Sequence, residues 1–139
     1  MKPSFTVYND NGAPSLERWH IIKTPLICLY LHRHCGDDRE PLHDHPWHSL
    51  SLCIKGSYWE HIRSAGVALI KRRRWDLVYR KAETPHRIKL HRNADGSTSP
   101  AWTLFLTGPK VRDWGFYLPS GWRAWWECVD LDNPGKMKW

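Results

Sequence analysis

Residues 49–62 read SLSLCIKGSYWEHI. Leu50, Leu52 and Ile54 recur at every second position between small or polar residues, the period of a strand with one apolar face. Gly56 interrupts the pattern, and Ser57 to Ile62 resumes with Tyr58, Trp59 and Ile62, side chains that pack well on a pleated surface. An amphipathic helix would need apolar spacings of three and four. The segment therefore predicts two strands joined by a hairpin turn at Gly56-Ser57.

The same reading extends in both directions. Residues 26–32 (LICLYLH), 67–70, 77–79, 86–90 (HRIKL) and 101–107 (AWTLFLT) are further short strand-like runs. Turn-prone pieces separate them, at Ser64-Ala65-Gly66, at 81–85 (KAETP) and at 92–100 (RNADGSTSP). No long amphipathic helix intervenes, so the chain is expected to be all-β, a sandwich or barrel of which a jelly roll is the simplest compact form. With 139 residues it has length for one domain with a real core. Residues 1–15 are taken as an N-terminal extension. Residues 113–139, dense in tryptophan and broken by Pro119 and Gly121, are expected to run irregularly over the end of the barrel.

Net charge is +7, from 21 basic and 14 acidic residues, which favours anionic partners. The densest basic run, Lys71-Arg72-Arg73-Arg74, precedes a strand and reads as a solvated turn, with no nucleic-acid motif beside it. The four cysteines form no C-x-x-C pair and read as reduced thiols. The amino-terminal residues contain no apolar leader, and the run Pro25 to Leu31 is too short to span a bilayer, so a cytoplasmic protein with no membrane association is expected.

Three histidines carry the chemistry. His43 and His45, two apart, point to one face of an extended chain while Asp44 points to the other. His86 shares its parity with Ile88 and Leu90 and so faces inward. Three imidazoles in one barrel interior would repel if protonated and are better neutralised by a cation. His32, His34, His48 and Glu60 are candidates for a fourth ligand. Tyr58 and Glu60 share a parity that suits a general acid or base and its orienter, and His48 could stack on Trp47 or donate to a substrate. These three are the expected catalytic residues. Asp44 is expected to orient a loop through Arg39, while Arg80 and Arg87 face outward by strand parity.

His43-Asp44-His45 followed by Ser49 and Gly56 resembles the first motif of the cupins, and Trp75-Asp76 through Pro85-His86 resembles the second. The combination DREPLHDHPW, KGSYWEHI, RKAETPHRI, WTLFLTGP and WGFYLPSGW is similar, over nearly the whole chain, to small bacterial and phage cupin-like proteins with an HDHPW motif. The resemblance implies a single cupin-type jelly-roll β-barrel, or double-stranded β-helix. It also implies a three-histidine site for a divalent transition metal, Fe(II) first and Zn, Ni, Mn or Cu as alternatives. Where the motif has a glutamate this chain has Ser49, or Leu50 if the Pro46-Trp47 corner absorbs a bulge, and neither is a good ligand, which leaves coordination positions open. An oxygenase-type metalloenzyme acting on a small polar, anionic substrate is the expected function. A metal-dependent isomerase or epimerase and a non-catalytic metal- or ligand-binding cupin are the alternatives. Leu50, Leu52 and Ile54 lie opposite in parity to the histidines, and that face needs a cover such as the second subunit of a homodimer, unless the Pro46 corner turns it inward.

Overall fold

The computed structural model describes residues 1–9, 11–63, 66–132 and 136–138. Twelve strands and one helical turn follow in chain order: β1 (Phe5–Tyr8), β2 (Pro14–Lys23), β3 (Cys28–His34), β4 (Leu42–His43), β5 (Ser49–Lys55), β6 (Tyr58–Arg63), β7 (Val67–Arg72), β8 (Leu77–Arg80), β9 (His86–Leu90), β10 (Ala101–Thr107), β11 (Gly115–Leu118), β12 (Gly121–Ala124) and α1 (Trp125–Cys128). They form two antiparallel six-stranded sheets, ordered β1-β2-β3-β10-β5-β8 and β12-β11-β4-β9-β6-β7. Among the described residues no helix is long and apolar enough to cross a membrane.

The strands expected at 49–55, 86–90 and 101–107 form with those bounds. The hairpin expected at Gly56-Ser57 does not. β5 pairs with β10 and β8 in one sheet, whereas β6 pairs with β7 and β9 in the other, so Gly56 carries the chain across the sandwich. Its φ of +78° is a conformation open chiefly to glycine, and a Cβ there would lie 2.6 Å from the Pro100 carbonyl oxygen. Of the turn expected at 64–66, Ser64 and Ala65 lie outside the described residues.

Two segments are more regular than their sequence suggests. Within residues 1–15, β1 pairs with β2 and forms the edge of the first sheet. The tail expected to be irregular supplies β11 and β12, which pair with each other and, through β11, with β4. Aromatic residues in that tail suit strands, and Pro119 and Gly121 mark only the turn between them.

The first sheet has an unusual interior. On β5 the inward residues are Ser49, Ser51 and Cys53, all buried, while Leu50 is exposed and Leu52 and Ile54 are half-buried on the outside. On β8 the buried residues are Val78 and Arg80, with Leu77 and Tyr79 exposed. β3 turns Tyr30, His32 and His34 inward. The apolar core proper is displaced toward the Gly56 crossing, where Cys53, Tyr58, Ile88, Leu90 and Ala101 cluster. The other part of the interior is left to polar side chains.

Asp44 ties the tail to the barrel. It is fully buried, and its carboxylate accepts hydrogen bonds from the Gly115 N–H at 2.8 Å, the Tyr117 hydroxyl at 2.9 Å, the Trp122 Nε1–H at 3.0 Å and the Arg112 guanidinium. The cation that Asp44 meets is thus Arg112, where the sequence suggested Arg39. Asp44→Asn removes the charge and turns one acceptor into a donor facing an N–H or O–H. The expected cost is about 2 kcal/mol, by the usual worth of a hydrogen bond to a charged group, and roughly 6–10 °C in Tm for a domain of this size. Thermal unfolding followed by tryptophan fluorescence measures it.

Candidate metal centre

β4 is only two residues long, yet its single pairing with β9 sets His43 directly opposite His86. Directly opposed residues of an antiparallel pair project to the same face. His45 lies two residues on, held by its N–H to the Ala82 carbonyl at 3.0 Å and stacked on Trp47 with ring centroids 5.0 Å apart. The three imidazoles form a near-regular triangle, with centroid separations of 5.1 Å (His43–His45), 4.7 Å (His43–His86) and 4.9 Å (His45–His86). One nitrogen from each lies within 4.8 Å of the other two. The centre of such a triangle is within about 3 Å of every corner, against the ~2.0–2.1 Å of a metal–imidazole bond, so small side-chain rotations close the ring on one ion.

His86 shows most directly what the cluster fits. Its Nδ1 lies 2.6 Å from Glu60 Oε2. An ionised carboxylate only accepts, so Nδ1 carries the hydrogen and Nε2 is the ring nitrogen left to serve a metal. That Nε2 is buried and has no hydrogen-bond partner among the described residues. A buried, unpartnered ring nitrogen beside two further imidazoles, with a carboxylate on the opposite ring nitrogen, is the donor arrangement of a metal-bound histidine. The residues present fit a divalent transition metal.

Glu60 is held on every side. It is fully buried, and Arg80, itself 3% exposed, meets it in a two-pronged pair, Nε to Oε2 at 2.5 Å and Nη2 to Oε1 at 2.8 Å. Arg72 adds a bond to Oε1 at 2.9 Å. Burial is the largest single influence and works against ionisation, but the hydrogen bonds from His86 and Arg80, with the Arg80 charge, outweigh it and hold the carboxyl well below the usual range. Arg80 therefore points inward, not outward as its strand parity suggested. Leu77 and Tyr79 take the outer face because the interior here is polar. Arg87 faces away from the cavity but is also buried, its guanidinium binding the carbonyls of Asp38 and Arg39 at 3.0 and 3.1 Å.

The other expected site residues surround the triangle at a remove. Tyr58 is buried with its hydroxyl 3.4 Å from Arg80 Nη2 and its ring against His34. His48 uses Nδ1 to accept the Ala82 N–H at 2.9 Å, while Trp47 stacks on His45. Neither these two nor Glu60 lines the cavity of about 70 Å³ into which His43, His45 and His86 open. His32 and His34 do line it, but among the described residues only His43, His45 and His86 bring their nitrogens together. Arg18 and Asp38, which the sequence reading passed over, line it as well. Asp38 Oδ2 sits 4.0 Å from His43 Nε2 and accepts the Ile88 N–H at 2.7 Å. Of the basic run, Arg72 is committed to Glu60, and Arg74 binds the Ile54 carbonyl and lies over Trp75.

Withdrawal from water lowers the pKa of His32, His34, His43 and His45, to about 4 for His34 and His43. These rings are neutral at pH 7, as metal ligation requires. Between pH 6.5 and 4 the unfolded chain binds more protons than the folded one. Stability of the metal-free protein is therefore expected to fall as pH drops through that window, by up to ~1.4 kcal/mol per pH unit for each such histidine. Urea unfolding midpoints at pH 7 and pH 5 check the sign.

No protein-family model matches the sequence, and no curated protein matches it. Solved structures match the fold. A cupin superfamily protein from Desulfitobacterium hafniense aligns over 68% of this chain and 78% of its own, with TM-score 0.53 and 12% identity. The DMSP lyase DddQ from Ruegeria pomeroyi aligns over 87% of this chain with TM-score 0.61 and 13% identity. Fe(II) HppE in complex with substrate aligns over 76% with TM-score 0.60 and 10% identity. The chain spans 61% and 56% of the length of the latter two. The fold is thus the cupin jelly roll that the sequence resemblance implied, with a three-histidine candidate metal group in its interior.

Proposed function

We propose that the protein is a metal-dependent enzyme of oxygenase type acting on a small polar substrate. The observation that carries this reading is the unpartnered Nε2 of His86, set by Glu60 toward His43 and His45. Those three imidazoles would hold one divalent ion, with Fe(II) favoured by the likeness to HppE. Bound there, the ion would supply positive charge and Lewis acidity toward oxygen or a substrate.

The chain's own contribution is placement and exclusion. Glu60 fixes the His86 ring and its tautomer, and Arg80 and Arg72 fix Glu60. Trp47 and Phe105 wall the cavity beside the three histidines. A second reading, proton transfer without oxygen as in an isomerase or lyase, draws support from the likeness to DddQ and from the neutral His34 in the cavity.

Metal analysis of protein purified without added metal or chelator is expected to give one transition-metal ion per chain. The Co(II)-substituted protein is expected to change its visible spectrum on addition of azide, because a three-ligand site keeps positions open. Failure to take up metal removes the reading. A spectrum indifferent to azide indicates a closed site and favours the non-catalytic alternative. Product formation without oxygen uptake, once a substrate is known, favours the second reading.

A further inference from the structure

Arg18 stands on β2, in the row of inward residues that includes Leu16, and faces the cavity across from the histidine triangle. Its Nε–H donates to His32 Nε2 at 2.9 Å. Its guanidinium carbon lies 4.3 Å from the centre of the Tyr30 ring. His32 is in turn stacked between Tyr30 and Phe105, at centroid distances of 5.8 and 4.9 Å. The head group is therefore fixed in plane and direction before any ligand arrives.

What Arg18 lacks is an anion. It makes no ion pair among the described residues, and its two terminal nitrogens have no hydrogen-bond acceptor there. The other cations near the site are committed, Arg80 and Arg72 to Glu60. Burial works against the Arg18 charge, and His32, withdrawn from water, stays neutral and offers it no counter-charge. A partly desolvated guanidinium with one edge held and the other edge open presents two parallel N–H donors, the fork that a carboxylate matches.

We propose that Arg18 is the carboxylate-binding residue of the cavity, clamping the acid end of a small substrate whose other end faces His43, His45 and His86. The placement of the far end rests on the metal-enzyme reading, whereas the clamp does not. The fork matches one carboxylate, so the ligand class is a carboxylic acid small enough to bring its acid end to Arg18 within the cavity. Arg18 thereby fixes both the sign of charge the site accepts and the end of the molecule presented to the metal.

The test uses lactate and its neutral counterpart lactamide as probes, titrated into metal-free and Zn(II)-loaded protein and followed by NMR of the Arg18 Nε–H and the tryptophan indoles. Lactate is expected to bind at least tenfold more tightly than lactamide in both forms. In Arg18→Gln the preference is expected to vanish from the metal-free form while one zinc per chain is retained. Arg18→Lys, which keeps the charge and loses the fork, is expected to keep a weaker preference and guards against misfolding of the glutamine variant. Equal binding of the two probes to the wild type, or a preference that survives in metal-free Arg18→Gln, overturns the proposal. Failure of zinc to bind sinks the metal reading alone, and the metal-free titration still decides the role of Arg18.

Discussion

Replacing His86 by alanine is expected to lower metal affinity by more than about 100-fold, beyond the 10–100-fold that loss of a supporting partner costs. The substitution removes one of the three proposed ligands and, among the described residues, the hydrogen bond that joins the triangle to Glu60. Two imidazoles on a short loop and a two-residue strand remain, and among the described residues no other histidine nitrogen joins them. The same loss is expected for His43→Ala, because His43 and His86 are paired across β4 and β9 and neither can move to cover for the other. His91→Ala, at an exposed position, is expected to retain full occupancy and serves as the control. Competition against a chelator of known affinity, with metal content measured after gel filtration, reads the effect. Unchanged occupancy in both ligand variants would mean that the ion, if any, sits elsewhere.

Glu60→Ala is expected to strike stability and metal affinity together. It leaves Arg80, 3% exposed, without the carboxylate that compensates it, and a buried charge stripped of its partner costs about 3–5 kcal/mol. It also frees the His86 ring, for a further 10–100-fold loss in metal affinity. The two consequences separate in the double variant Glu60→Leu with Arg80→Met. With the Arg80 charge gone and only the more exposed Arg72 left without Glu60, part of the stability is expected to return, as buried ion pairs exchanged for apolar residues of similar volume often show. The metal affinity is not expected to return, because no carboxylate then orients Nδ1. Denaturant midpoints paired with chelator competition on each variant provide the check. Recovery of both quantities in the double variant would reduce Glu60 to a structural anchor.

Much of the fold could be read from the chain because several strands alternate cleanly, and β5, β9 and β10 formed with the bounds their period implies. β4 could not be, since two residues carry no period, and β1 and β2 were obscured by a polar start whose pairing is with β3 rather than with itself alone. The histidine triangle was legible from the two-residue spacing of His43 and His45 and the inward parity of His86. Arg80 was misread for a physical reason. Assigning the apolar members of β8 to the inside is sound for an oily core, but this interior is partly polar and the alternation is inverted, so Leu77 and Tyr79 face out. The pairing of Glu60 with Arg80 was invisible to any local pattern, because β6 and β8 belong to different sheets and meet only across the sandwich. Arg18 was missed along with its strand.

The direct opposition of His43 and His86 bears on when the candidate metal group comes together. Those residues belong to strands far apart in sequence, and closing so long a loop is entropically slow relative to forming neighbouring strands. An ion cannot nucleate the chain in the manner of a zinc finger, where ligands come from adjacent turns. A metal held by His43, His45 and His86 would meet its ligands only once β4 and β9 have paired, so on the proposed reading metallation would follow assembly of the barrel.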